Sequence, residues 1–422
     1  MIDEKWIMQD PEAVKKALAK RGYEVDFTEY LELKELRNTL ILKIEDVRAK
    51  RNKLSKSIGI FKREKKDTTE LFKEIDSLKN AVEKDEEILK DTENRIQEFL
   101  YQIPNVPDDD LLAGGKEFNE VISVNKEKPV FDFKIKDHVD LATSLGLIDY
   151  ERAAKISGKG TWIYSNVGAR LEWALLNFFI DQHLKDGYQF MLLPHILNYE
   201  SGLTAGQFPK FKDEVFWLEG EEPKKFILPT AETALVNIHR NEILRDDELP
   251  KKYFGYSPCY RKEAGSYRSE ERGMIRGYQF NKVEMVQYTK PENSNKAFDE
   301  LLQKAESLMK QLGLHYQVSK LAAGDVAFGM ARTFDIEVWL PSIGIYKEVS
   351  SVSNSRAFQA RRGKIRYRKP DGTVDFCHTL NGSGLATSRL LPAILEQNQQ
   401  ADGSVLVPEV LVPYLGGIKV LK

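Results

Sequence analysis

The sequence predicts an α+β protein: an N-terminal antiparallel pair of long helices, followed by a larger domain built on an antiparallel sheet flanked by helices. Three observations predict it. Leu33, Leu40, Val47, Leu54 and Phe61 recur every seven residues, and a second series, Ile75, Val82, Leu89 and Ile96, follows after a polar break at 65–69. Sustained heptads with charges between them specify paired helices, and a break between two series of similar length specifies a hairpin. Residues 102–119, with Pro104, Pro107, three consecutive aspartates (108–110) and Gly114-Gly115, have the composition of a linker. Beyond them, aromatic and β-branched strand candidates alternate with a few helical stretches. The domain division is accordingly placed at 1–110 and 111–422.

The elements follow in order. Asp10 before Pro11 predicts an N-cap and first-turn proline, opening a short helix that ends near Gly22. The heptad helices carry opposite charge: residues 43–66 hold ten Lys/Arg against three Asp/Glu, and residues 67–100 hold eleven acidic and five basic residues. Such helices match each other electrostatically, and the basic one is also suited to grip an RNA backbone. About 34 residues per helix would extend ~50 Å at 1.5 Å per residue. Gly59 is a local weakness in the first of them. Residues 169–185 read as a helix with Leu171, Ala174, Leu175, Phe178 and Phe179 on one face, followed by a strand ending at Pro194. Two β-rich runs, 256–261 and 278–288, predict a hairpin whose loop carries Arg268, Arg272 and Arg276. Residues 378–389 read as a β-like segment passing through a Gly/Ser turn at Gly382 and Gly384. An apolar helix over 390–396 follows, with Pro392 near its start and Arg389 at its N-terminal end.

Composition excludes several classes. Hydrophobic content of 41% and charged content of 30% describe a globular protein, and no run approaches 18 uninterrupted apolar residues. Asp3, Glu4 and Lys5 argue against a secretory signal, so a cytoplasmic location is expected. Cys259 and Cys377 supply neither a disulfide framework nor a Cys-x-x-Cys site. A net charge of −2 gives no global attraction to nucleic acid, so RNA binding requires a local patch. No Ser-His-Asp or Cys-His set suggests itself. The arginine-bearing hairpin does suggest chemistry, because guanidinium forks bind phosphate oxygens bidentately. The Gly-x-Gly stretch before Arg389 is neither a dinucleotide fingerprint nor a Walker loop.

Taken together, Cys259-Tyr-Arg-Lys-Glu-Ala-Gly-Ser266 with Arg272-Gly-Met-Ile-Arg-Gly-Tyr-Gln-Phe-Asn-Lys-Val-Glu284, and the segment from His378 to Arg389, resemble motifs 2 and 3 of the class II aminoacyl-tRNA synthetases. The detailed wording resembles the bacterial-type seryl-tRNA synthetase family. That resemblance also runs through the segments at 10–18, 204–211, 228–232, 333–341, 358–362 and 398–404, nearly the whole chain. It implies activation of L-serine by ATP to seryl-adenylate and transfer to tRNA(Ser), with ATP and Mg²⁺ bound. The helical arm would bind the tRNA, and the helix at 169–185, similar to motif 1, would form a homodimer interface.

Residue by residue, the resemblance gives Arg261 the α-phosphate, Glu263 the adenine edge, Phe280 the adenine ring and Arg389 the γ-phosphate, with Arg261 and Arg389 as the catalytic pair. Glu348 and Ser351 match ligands of ATP and Mg²⁺. Thr230, Glu232, Arg261, Glu284, Asn381 and Ser383 match the serine-binding positions. Read without the resemblance, Glu284 is an exposed charge at a strand end and Phe280 a core residue. Val352, Ser355, Tyr278, Ser388 and Ala327 depart from the family pattern, which leaves open a variant enzyme with shifted preference. Two other readings stand beside it. One is a relative that loads an amino acid on a carrier protein, against which the intact heptads count. The other is a non-catalytic RNA-binding homologue, expected to lose Arg261, Glu263 or Arg389.

Overall fold

The computed structural model describes residues 1–263 and 272–422, so Arg268 lies outside the described residues. The chain divides into two compact units. One comprises Asp3–Lys15 and Glu24–Ile103, the other Met1–Ile2, Lys16–Tyr23 and Pro104–Lys422.

Four helices come first: α1 (Glu4–Gln9), α2 (Pro11–Ala19), α3 (Thr28–Arg63) and α4 (Thr69–Gln102). Asp10 caps α2, its Oδ1 accepting from the Ala13 N–H at 2.9 Å. The short α1 was not anticipated. It carries its own cap, Asp3 accepting from Lys5 N, and a single residue, Asp10, separates it from α2.

Helix α3 spans 36 residues and α4 spans 34, with the chain reversing at 64–68. Their ion pairs, Arg95 to Glu29, Arg37 to Glu93, Lys43 to Asp85 and Arg48 to Glu86, join the start of α3 to the end of α4 and the middle of one helix to the middle of the other, which makes the pair antiparallel. Leu33, Leu40, Val82 and Ile96 from the two heptad series are buried along the seam. At its base Phe27, Tyr30 and Phe99 pack together, the last two stacked at 5.5 Å.

The larger unit is built on an eight-stranded sheet. Its strands are β1 (Glu120–Asn125), β2 (Gln189–Leu192), β3 (Lys251–Tyr260), β4 (Gln279–Thr289), β5 (Tyr316–Lys320), β6 (Arg332–Leu340), β7 (Ile345–Asn354) and β8 (His378–Ala386). They lie in the order β1-β5-β6-β7-β8-β4-β3-β2. Every neighbouring pair is antiparallel except β2 and β3, which are parallel. The expected all-antiparallel sheet is therefore mixed at one edge. The long excursion over 193–250 between β2 and β3 is the kind of connection a parallel pair requires.

Five helices of this unit matter to the site: α5 (His138–Ser144), α6 (Asn166–Lys185), α7 (Ala231–Leu235), α8 (Ser294–Leu312) and α9 (Phe358–Gly363). A sixth, α10 (Thr387–Gln397), follows β8 directly. The face predicted for α6 is buried, and Leu171, Leu175 and Phe179 join Leu301 and Met309 of α8 and Leu390 and Ile394 of α10 in one core with the sheet. The anticipated hairpin is β3 with β4, paired from Lys251↔Tyr288 to Tyr260↔Gln279.

Two local readings are corrected. Gly382 and Gly384 do not form a turn but lie inside β8. A Cβ on Gly384 would stand 2.2 Å from Nε2 of His183, whose ring contacts the Gly384 carbonyl at 2.9 Å, so glycine is set by the close approach of α6. Consequently α10 begins at Thr387 instead of Leu390, and Pro392 lies in the helix interior, where it withholds a donor from the Ser388 carbonyl. Arg389 remains in the first turn.

Candidate active site

The cleft is assembled by strand alternation. Phe280, Lys282 and Glu284 are every second residue of β4 and share one face. Ser383 of β8 lies directly across from Glu284 in the ladder. Arg261 and Glu263 follow the end of β3, Arg276 precedes β4, and Glu348 and Ser351 lie on β7. A cavity of about 70 Å³ is lined by Arg261, Glu263, Phe280, Lys282, Glu348 and Arg389, among others. It is continuous in its walls with one of about 740 Å³, which shares Arg276, Glu348 and Arg389, and with one of about 460 Å³, which shares Arg261, Glu263 and Arg276. Thr230 and Glu232 line the last, and Ser351 the one before it.

Both arginines expected to be catalytic reach the cleft and are anchored by backbone carbonyls. Arg261 Nε donates to Pro229 O at 3.3 Å; Arg389 donates to Ile275 O at 3.2 Å and Glu348 O at 3.0 Å. The guanidinium of Arg261 lies 5.3 Å from the Phe280 ring centroid, and Phe280 is partly exposed in the cavity, not core. Of the three loop arginines, Arg276 enters the cleft and pairs with Glu263. Arg272 instead pairs with Asp137, at 2.7 Å, and Asp140 on the opening turn of α5. It is therefore held away from the phosphate role that the hairpin suggested.

The remaining polar residues form a compact pocket. Glu284 is fully buried, contrary to its reading as an exposed charge, because both flanking strands and the side chains across them enclose it. Its carboxylate accepts from Asn381 Nδ2 at 3.1 Å and Ser383 Oγ at 3.3 Å, and it pairs with Lys282. Thr230 caps α7 by accepting from Glu232 N at 3.2 Å, and its hydroxyl also takes a bond from Lys282 at 2.8 Å. Glu232 accepts from Gln359 of α9 at 2.8 Å. Burial, reinforced by repulsion from Glu284, pushes the Glu232 carboxyl up to about 7.

Sequence reasoning missed three contributors. Lys282 was legible only from its place between Phe280 and Glu284 on a strand of period two. Gln359 lies in a segment noted for its resemblance but given no role. Glu172 of α6 is buried and receives bonds from Asn281 Nδ2 (2.8 Å) and the Thr387 hydroxyl, fastening β4 to the start of α10. Burial pushes its carboxyl up to about 7. Among the departures, Ser388 and Ala327 line the cleft, whereas Val352 and Ser355 are buried and Ser355 bonds Thr379.

The fold and this donor set define a class II synthetase core, and comparison with known proteins agrees. Residues 216–398 match the family model described as tRNA synthetase class II core domain (G, H, P, S and T), and residues 1–107 match that of the seryl-tRNA synthetase N-terminal domain. Serine–tRNA ligase 2 of Clostridium acetobutylicum is 58% identical over 99% of both chains, and the serine–tRNA ligase of Thermodesulfovibrio yellowstonii 47% over 99% of both. The crystal structure of seryl-tRNA synthetase from Pyrococcus horikoshii complexed with ATP superposes with a TM-score of 0.91 at 32% identity, covering 100% of this chain and 99% of that one. The chain belongs to the seryl-tRNA synthetase family, which is a family of aminoacyl-tRNA synthetases.

Proposed function

We propose that the chain activates L-serine with ATP and transfers the seryl group to tRNA(Ser). The observation that carries this reading is the junction of two sites: a polar pocket built on Glu284, Ser383, Thr230 and Glu232, opening beside Arg261 and Arg389. A carboxylate oxygen of serine attacks the α-phosphorus as the bond to the bridging oxygen of pyrophosphate breaks. A terminal ribose hydroxyl then attacks the acyl carbon, losing its proton as AMP leaves. Neither step needs a protein nucleophile. Arg261 is assigned to the α-phosphate and Arg389 to the γ-phosphate, neutralising charge as it moves, while Phe280 offers a face to adenine and Glu263 its edge. Single-turnover mixing without tRNA should leave noncovalent seryl-adenylate on the protein, which discharges when tRNA(Ser) is added. Serine bonded covalently to the protein would contradict the reading.

Magnesium fits the donors present. Glu348 lines the cleft and Ser351 stands across from Asp335, whose buried Oδ1 has no hydrogen-bond partner among the described residues. Burial, with the nearby charge of Glu348, holds the Asp335 carboxyl well above the usual range. Among the described residues no three His, Cys, Asp or Glu side chains are gathered as a metal cage. Glu348 and Ser351 would therefore hold the ion with water and phosphate oxygens completing its shell, which suits Mg²⁺. When bound, the ion supplies charge neutralisation at the phosphates.

In this reading residues 1–110 engage tRNA and 111–422 carry the chemistry. Of the ten basic residues in 43–66, four are taken by carboxylates: Lys43 by Asp85, Arg48 by Glu86, Lys50 by Asp46 and Lys66 by Glu64. The other six, Arg51, Lys53, Lys56, Lys62, Arg63 and Lys65, crowd toward the tip with no ion pair among the described residues, available for phosphates. Among the described residues no helix is long and apolar enough to cross a membrane, and a tRNA substrate argues for the cytoplasm.

Two copies are proposed to pair through α6 and the edge strand β2, where Trp173 (51% exposed), Leu184 (49%) and Leu192 (79%) leave apolar surface in water. Leu192→Asp should shift sedimentation from dimer to monomer, and an unchanged dimer would place the interface elsewhere.

The Glu232 carboxyl gives a pH dependence. Its neutral form, which predominates below about 7, cannot pair with the ammonium of serine, whereas its ionised form can. The KM for serine should therefore rise as pH falls from 8 to about 6, with the KM for ATP nearly constant. A flat serine KM over that range would remove Glu232 from the ammonium site.

A further inference from the structure

Lys282 stands where the amino-acid pocket meets the phosphate cleft. Its side chain is 8% exposed and that of Glu284 is 0% exposed, and the two form an ion pair. The same ammonium donates to the hydroxyl of Thr230 at 2.8 Å, bridging β4 to the cap of α7. Glu232, one residue into that helix, has an amide partner, Gln359 Nε2 at 2.8 Å, and among the described residues no cation within ion-pair distance. The pocket thus holds two carboxylates and one ammonium. The other groups facing it are neutral, Asn381 and Ser383 from β8 and the Cys259 thiol from β3, apart from Arg261 at its cleft side. With Arg261 turned to the cleft side and assigned to the α-phosphate, the pocket itself is one positive charge short of its two carboxylates.

An amino acid supplies that charge. Glu284 is already committed, to Lys282, Asn381 and Ser383, so an incoming ammonium finds one open carboxylate instead of two. We propose that Lys282 is a positioning residue for the amino-acid substrate: it occupies Glu284 as a resident counter-ion and reserves Glu232 for the substrate's ammonium, so that the side-chain hydroxyl is directed to the Glu284–Ser383 cluster. The inference rests on the serine-pocket reading above and adds a division of labour between its two carboxylates. Without the lysine, two close carboxylates in a poorly hydrated pocket repel each other and one takes up a proton, and the ammonium has two places to go. Both effects weaken serine binding and blur the preference for a hydroxyl. Neither touches the phosphate contacts of Arg261 or Arg389.

The test compares Lys282→Met, of similar volume and without charge, with Lys282→Arg in the full chain. Serine-dependent pyrophosphate exchange is followed from pH 6 to 9 and thermal unfolding is measured alongside. Loss of a buried charge-assisted contact is expected to raise the serine KM of Lys282→Met by about ten- to a hundred-fold. The ATP KM should stay within about twofold, since those contacts are retained, and the pH midpoint of the serine KM should move upward. Lys282→Arg, which restores the charge, should recover most of the loss. The proposal is overturned if the serine KM is unchanged while the ATP KM or kcat changes, which would make Lys282 a phosphate ligand. An unshifted pH midpoint would equally overturn it, as a purely structural role.

Should Lys282→Met fail to fold, calorimetry of serine binding to the unaltered protein at pH 7 in two buffers decides instead. Proton release is expected as Glu232 meets the ammonium, and its absence overturns the proposal. Absence of serine-dependent exchange by the unaltered protein would be a failure of the serine reading itself, distinct from any of these outcomes.

Discussion

Arg261→Ala should lower serine-dependent pyrophosphate exchange by on the order of 10²–10³, the loss seen when one preorganised donor is removed from a site of developing charge. Arg261 is partly exposed on the cleft wall, and among the described residues its side chain makes one hydrogen bond, to Pro229 O, while its backbone N–H bond to Tyr278 O is untouched by the substitution. Unfolding should therefore be little affected, and the loss should appear in kcat. Retention of more than about half the activity would show that the α-phosphate is held by another group, since that threshold lies far from the expected effect.

Excising the helical arm over residues 33–98 should separate the two chemical steps. The ends left behind are adjacent, because Tyr30 and Phe99 stack with ring centroids 5.5 Å apart, and a short glycine-serine link can join them. The apolar seam of Leu40, Ile44 and Val82 lies between α3 and α4, so it leaves together with the polar faces that cover it. Pyrophosphate exchange should survive. Aminoacylation at sub-saturating tRNA should collapse, and the salt dependence of tRNA binding should flatten by about one unit of slope for each phosphate the arm no longer neutralises. Equal aminoacylation by the truncated and full-length chains would show that the arm serves another purpose.

How much of this could be read from residues alone depended on which force set each feature. The arm was legible because Leu33, Leu40, Val82 and Ile96 are placed by a strict period, and burial follows period. The β3–β4 hairpin was legible from its β-branched and aromatic runs. Motif resemblance supplied Arg261, Arg389, Glu284 and Ser383, and the geometry gathers them in one cleft. Gly384 was misread because a Gly-rich stretch ordinarily turns, and its true cause, the His183 ring, lies 201 residues earlier in the chain. Glu284 and Lys282 defeat the rule that charges face water, since each is buried only because the other is there. Arg272 was drawn to the phosphate role by its neighbours, yet Asp137 and Asp140 hold it, and nothing local announces that pairing.

Amino-acid-dependent pyrophosphate exchange, run across all twenty amino acids with the full chain, tests the central claim most directly. A pocket that directs a hydroxyl to the Glu284–Ser383 cluster offers an analogue lacking it a polar surface it cannot bond, and a site built to hydrogen-bond a hydroxyl rejects such an analogue by roughly 10⁴ or more. Serine should dominate, with alanine and glycine near background without any editing step. Exchange with alanine or glycine comparable to that with serine would contradict the assignment of the pocket and the function drawn from it.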